Sequence, residues 1–194
     1  MRALVLVLLA IFYINQSNAQ NAKDYLCLDA TVVLYYQFHT GDTCTMQFDT
    51  TFVFEGDTVV YYTRTFLGEE EGATLFYTYN GKFLIEGSYV INGGFDGTDN
   101  FDTKIEIVGP SEVVDTAYTY SFDMSSSEFE QTSRFLETYT DAHGNEHKNV
   151  VEVDQASPSG DSHYITVYAP GLGVVSRDGN EMEFIRMEKL GVKK

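Results

Sequence analysis

Apolar and polar residues alternate along most of this chain with a period of two. The pattern is clearest in TMQFDTTFVF, residues 45–54. It predicts a half-buried strand, because successive side chains of a strand point to opposite faces of a sheet. The predicted apolar face comprises Met46, Phe48, Phe52 and Phe54, opposite Gln47, Asp49 and Thr51.

Turn signals rich in glycine, asparagine and aspartate separate these segments at short intervals, as in Asn80-Gly81 and His143-Gly144-Asn145. Gaps this short are typical of hairpins between antiparallel neighbours. We predict strands near residues 31–38, 45–54, 58–66, 73–79, 82–91, 100–108, 114–123, 133–140, 147–153, 162–169 and 181–188. The sequence therefore predicts an antiparallel meander.

The segment from Ser127 to Tyr139 allows a second interpretation. Ser127 and Glu130 have the spacing of a capping box, and the apolar residues after them fit one face of a helix. We favour a strand for the second half, 133–140, and allow a short helical turn near 126–131.

A long meander must either close or leave its edges open to aggregation. The predicted fold class is therefore all-β, a single antiparallel up-and-down β-barrel, with a β-sandwich as the alternative. Segments such as TVVYYTRTF carry apolar residues on both faces, as the strands of a barrel do when the outside also makes contacts.

The N-terminus has the features of a secretory signal peptide, and we assign residues 1–19 to it. Arg2 precedes an apolar run, and the small residues Ser17 and Ala19 precede the expected cleavage site. The run is short for a membrane span, and no later stretch reaches the length that a transmembrane helix needs. We expect a secreted, extracellular protein with one β-barrel domain, residues 20–194.

Cys27 and Cys44 are the only cysteines. Two cysteines in a secreted chain predict one disulfide, since structural zinc sites use four ligands. The formal net charge is −17 at pH 7. Such a surface repels nucleic acid and anionic membranes, and it attracts cations, basic proteins or mineral surfaces.

The signal peptide, the meander, the early cysteine and the closing segment EMEFIRMEK, residues 181–189, resemble the lipocalin-like, or calycin, group. The chain contains no tryptophan, so the Gly-x-Trp signature of lipocalins is absent and no binding residue is carried over. The resemblance implies a protein that carries a small apolar molecule in a barrel cavity, which suits the 14 Tyr and 14 Phe. The predicted cavity-lining residues are Phe48, Phe52, Tyr61, Tyr77, Phe83, Tyr89, Tyr118 and Tyr120.

Arg64 lies in a segment that is otherwise rich in aromatic residues. It has two interpretations, a solvated residue on the outer face, which we favour, or an inward counter-charge for a carboxylate ligand.

The loop NGGFDGTDNFD, residues 92–102, raises the question of a calcium site. It resembles the nonapeptide of calcium-binding β-helices but has one residue too many, and it lacks the alternating ligands and closing glutamate of an EF-hand. A hairpin connection is the favoured interpretation, with weak calcium binding by Asp96, Asp99 and Asp102 left open. With the acidic run Glu69-Glu70-Glu71, this gives a second hypothesis, an acidic extracellular matrix protein associated with calcium or a biomineral.

We expect no catalytic activity and no cofactor. The segment HGNEH places His143 and His147 on either side of a turn, whereas the zinc-protease motif needs both on one helical face. Metal binding across the hairpin by this pair is left open.

Overall fold

The computed structural model describes residues 21–54, 57–66, 73–88, 101–110, 112–122, 125–157, 163–178 and 182–190. The predicted signal peptide lies outside them. Across these ranges, no helix has the length and apolar character needed to cross a membrane.

Within the described ranges, strands make up nearly all of the regular structure and follow a 3₁₀ turn at Ala22–Tyr25. In chain order they are β1 Val32–Phe38, β2 Thr43–Phe54, β3 Asp57–Phe66, β4 Ala73–Asn80, β5 Phe83–Ser88, β6 Phe101–Glu106, β7 Val113–Phe122, β8 Ser125–Thr140, β9 Glu146–Ala156, β10 His163–Ala169, β11 Gly173–Arg177 and β12 Met182–Lys189. The all-β prediction is confirmed.

The twelve strands of the described ranges form one antiparallel sheet in the order β6-β5-β4-β3-β2-β1-β12-β11-β10-β9-β8-β7. Every pair of sequence neighbours is hydrogen-bonded except β6 and β7, and the first and last strands pair with each other, from Val32 opposite Lys189 to Phe38 opposite Met182. The meander is confirmed, but the described strands do not close into a ring, since β6 and β7 are the two ends of the sheet.

Two elements differ from the sequence prediction. Residues 125–140 form one long strand, so the helical alternative is wrong; pairing of β8 with both β7 and β9 satisfies its backbone on both sides. Strand β11 was not predicted, because its five residues lie between two glycine-rich turns and are too few to show a period.

A β-bulge in β2 also changes the predicted faces. Phe48 is opposite Tyr62, but Thr50 is opposite Tyr61, so Asp49 is an extra residue. Because one inserted residue reverses the alternation, Phe52 lies on the opposite face from Phe48, and the prediction that they share a face is wrong.

We call the face of β1–β3 that carries Leu34, Tyr36, Cys44, Met46 and Tyr62 the core face; all five side chains are buried. The N-terminal segment, residues 21–31, connects distant strands of the sheet. The amide of Ala22 donates to the carbonyl of Gly81, and the Tyr25 hydroxyl donates to the carbonyl of Asn149. The Tyr62 hydroxyl donates to the carbonyl of Cys27 at 3.0 Å.

The hairpin between β8 and β9 is held by a buried carboxylate. Asp141, whose side chain is fully buried, accepts from the amides of His143 and Asn145 and lies 2.9 Å from Nε2 of His147. The Asn145 side chain also donates to Asp141 and to the carbonyl of Ile185 in β12. The turn is therefore attached to a strand that is not adjacent to β8 or β9 in the sheet. Burial alone raises the pKa of Asp141, but hydrogen bonds from His147 and Asn145 outweigh it and lower that pKa below its ordinary 3.8.

We predict that Asp141→Asn lowers the free energy of unfolding by about 2 kcal/mol at neutral pH, because it removes a buried, hydrogen-bonded negative charge. A carboxyl with a lowered folded pKa stabilises the protein above its unfolded value and loses that effect as pH falls through the folded value. The difference between the two proteins should therefore be constant near neutral pH and shrink below pH 3.8, measured by urea denaturation.

The matched control is Asp115→Asn. Asp115 is exposed and accepts one hydrogen bond, from Thr132 at 2.8 Å. Its substitution should change stability by less than about 0.5 kcal/mol. Equal stability of Asp141→Asn and wild type would contradict the role given to Asp141.

Candidate functional site

Arg64 lies on the core face of β3. Met46 is directly opposite it on β2. The neighbouring pairs on the same face are Cys44 with Phe66 and Phe48 with Tyr62. Cys44, Met46 and Tyr62 are all buried. The interpretation of Arg64 as an outward, solvated residue is therefore wrong.

The surroundings of Arg64 in the described structure are apolar. Its guanidinium carbon lies 5.2 Å from the ring centre of Phe66, a cation–π distance. Phe66 in turn stacks on Phe38, with ring centres 5.6 Å apart and planes inclined by 25°. Phe38 and Phe66 are both half-buried, so these two rings are in contact with the core while keeping part of their surface open.

Nε of Arg64 is buried and has no hydrogen-bond partner in the described structure, whereas the residue as a whole is only half-buried. A buried donor without an acceptor costs about 1–3 kcal/mol, and more when the group is charged. The guanidinium group therefore lies at the boundary between the core and the solvent with part of its hydrogen-bonding capacity unused.

Cys44 does not supply the missing negative charge. Burial raises the pKa of its thiol to about 11, against a smaller lowering by the positive charge of Arg64. The thiol is thus neutral at physiological pH, and the charge of Arg64 is left uncompensated by it.

Both cysteines are buried free thiols in the structure, so the predicted disulfide between Cys27 and Cys44 is absent from it. Burial also raises the pKa of Cys27. Both residues belong to the same hydrophobic core, in which a neutral thiol behaves as a small apolar side chain.

The predicted cavity residues fall on both sides of the sheet. Phe48 is on the core face and meets Tyr62 edge-on, with ring centres 6.2 Å apart. Phe52 and Tyr61 contact each other at 5.3 Å on the opposite face. The side chains of Tyr77, Phe83, Tyr118 and Tyr120, and the whole of Tyr89, lie outside the described residues.

The calcium candidates are also largely outside the description. Asp96 and Asp99 are not described, and only the backbone of Asp102 is, as part of β6. Within the described ranges, no three acidic, histidine or cysteine side chains are close enough together to hold a metal ion. Calcium binding at Asp96, Asp99 and Asp102 stays a prediction.

The two histidines of HGNEH are separated by the hairpin. His147 is buried against Asp141 and meets the ring of Phe184, while His143 is exposed and contributes its amide to Asp141. The arrangement fits a structural lock, and the residue that the sequence analysis missed is Asp141, whose partners are known only once the turn is formed.

The reactivity of the thiols in the folded protein tests whether Cys27 and Cys44 are free and buried. We predict that neither thiol reacts with a maleimide at neutral pH in the folded protein, because both are buried and hold their protons, and that two react after unfolding in guanidinium chloride. Mass spectrometry counts the added groups. An unfolded, unreduced chain with no reactive thiol would instead demonstrate the disulfide.

No protein-family model and no curated protein matches this chain. It is similar to two solved bacterial structures. One is a candidate exported protein with a YmcC-like fold from Bacteroides fragilis, with 11% identity, a TM-score of 0.42, and coverage of 84% of this chain and 98% of that one. The other is a candidate lipoprotein from Parabacteroides distasonis, with 10% identity, a TM-score of 0.35, and coverage of 87% and 100% respectively. Similarity at this level carries no argument about function, so the functional assignment depends on the residues themselves.

Proposed function

We propose that the protein is a secreted, lipocalin-like binding protein that carries a small apolar molecule against the core face of β1–β3, within a barrel-like, curled sheet.

The topology favours a curled sheet. The two edge strands, β6 and β7, are consecutive in sequence, and residues 107–112 are all that connect them. A short connection holds the two ends of a twelve-stranded sheet near each other, which a flat sheet does not permit. Ile107 and Val108 of this connection are buried, and the Ile107 amide donates to the carbonyl of Lys82.

The N-terminal segment covers part of the core face and leaves another part beyond it. Its contact with β3 is the hydrogen bond from Tyr62 to Cys27. Arg64 and Phe66 follow Tyr62 at alternate positions on the same face, towards the end of the strand. We place the ligand on the part of the core face that carries Arg64 and Phe66, beyond the contact of the N-terminal segment with Tyr62.

The observation that carries the proposal is the stacked pair Phe38 and Phe66, half-buried on the core face beside an arginine with an unpaired Nε. Aromatic rings with exposed surface, together with a few polar groups, are typical of sites for small apolar ligands.

Removal of one aromatic ring tests the proposal. We predict that Phe38→Ala weakens binding of the neutral probe decanol by about tenfold, or about 1.4 kcal/mol, because part of the apolar contact is lost. Binding is measured by displacement of the fluorescent apolar dye phenylnaphthylamine from the mature protein.

The matched control is Phe52→Ala, which removes a half-buried ring that contacts Tyr61 on the opposite face. This variant should bind decanol as wild type does. If wild type does not bind decanol, or if Phe38→Ala and Phe52→Ala weaken it equally, the proposed site is wrong. Native mass spectrometry of the protein purified gently from its source would identify a ligand retained in the fold.

A further inference from the structure

Arg64 occupies a position where part of its charged group is removed from water at a cost in free energy. It lies opposite Met46, between Tyr62 and Phe66 on the core face, and its Nε is buried without an acceptor in the described structure. An apolar residue of the same size would avoid the cost of desolvating a charge. The unpaired Nε is therefore a cost to stability that the folded protein carries at this position.

Within the part of the chain that the structure describes, compensation of the Arg64 charge is also incomplete. The face of the Phe66 ring offers a weak attraction to the guanidinium group, but no hydrogen bond in the plane of that group. Cys44 is protonated and neutral. An anionic acceptor in the guanidinium plane would pair with the Nε of Arg64.

We propose that Arg64 makes the site selective for an apolar molecule that ends in a carboxylate. This inference rests on the proposed function, because it specifies the ligand of the same site. Arg64 is half-buried, so its side chain is in part accessible from solvent.

The chemistry of the site favours a carboxylate over a phosphate. The edge of a guanidinium group presents two parallel N–H donors, which match the two oxygens of a carboxylate. A phosphate monoester carries close to two negative charges, and a single cation among apolar residues would leave one of them uncompensated. One carboxylate and one arginine form a neutral pair.

The negative net charge of the protein acts against binding of a carboxylate. A preference for the carboxylate over a neutral analogue can therefore be assigned to a local positive group. A chain with a formal net charge of −17 repels anions at its surface. Tighter binding of an anion than of its neutral analogue must therefore come from a local positive group. Added salt screens the repulsion, so carboxylate binding should not weaken as salt is raised.

The test compares decanoate, which is ionised at neutral pH, with decanol, which has the same chain and no charge. Wild type is expected to bind decanoate at least about tenfold more tightly than decanol. Arg64→Met should weaken decanoate binding at least about tenfold more than it weakens decanol binding, since it removes the charge and keeps the apolar bulk. Arg64→Lys should retain part of the preference, because it keeps the charge but loses the paired donors.

Arg186→Met is the matched control. Arg186 also lies over an aromatic ring, that of Tyr35 at 4.1 Å, but it is exposed and paired with Glu188. The change in net charge is the same as for Arg64→Met, so a general electrostatic effect would appear in both variants. We expect Arg186→Met to bind both probes as wild type does.

Thermal denaturation separates a binding role from a structural one. Arg64→Met should have a Tm equal to or above that of wild type, because it removes a buried donor without an acceptor. A lower Tm together with loss of both probes would show that Arg64 serves the fold and would overturn the inference. Equal binding of the two probes by wild type would overturn the carboxylate preference alone, whereas failure to bind either probe would overturn the proposed function itself.

Discussion

The pairing of β1 with β12 is the interaction on which the rest of this structure depends. It joins the two halves of the chain, β1–β6 and β7–β12, into one sheet and places the first and last strands side by side. As a result, the two edge strands of the sheet are β6 and β7, from the middle of the sequence, and not the first and last strands. The core face of β1–β3 receives its packing partners through this pairing, as in the edge-to-face contact of Tyr36 with Phe184.

The N-terminal segment adds the long-range contacts that strand pairing alone does not provide. It reaches the β4–β5 turn at Gly81, β3 at Tyr62 and β9 at Asn149. Ala22, Tyr25, Leu26 and Cys27 of this segment are part of the hydrophobic core. The segment contacts the core face at Tyr62, and Arg64 and the Phe38–Phe66 pair lie on the part of the same face beyond this contact.

Much of this fold follows from the sequence, since a period of two and short turns predict strands and neighbour pairing from local information. Local information does not give the faces. The bulge at Asp49 reverses the alternation in β2, and the segment TVVYYTRTF has apolar residues on both sides, so the orientation of Arg64 depends on the register with β2. Strand β11 is too short to show a period, and the partners of Asp141 at His143, Asn145 and His147 come together only when the turn forms. Calcium binding by the loop 92–102 and most of the predicted cavity-lining aromatic residues stay predictions.

The central claim is that the core face beside Arg64 is a ligand site. It is tested most directly by a crystal structure of the mature protein grown with decanoate. We predict density for the ligand along Phe38 and Phe66, with its carboxylate within hydrogen-bond distance of the Arg64 guanidinium group. A core face filled by the protein's own side chains, with Arg64 paired to a carboxylate of the chain and no ligand bound, would contradict the claim.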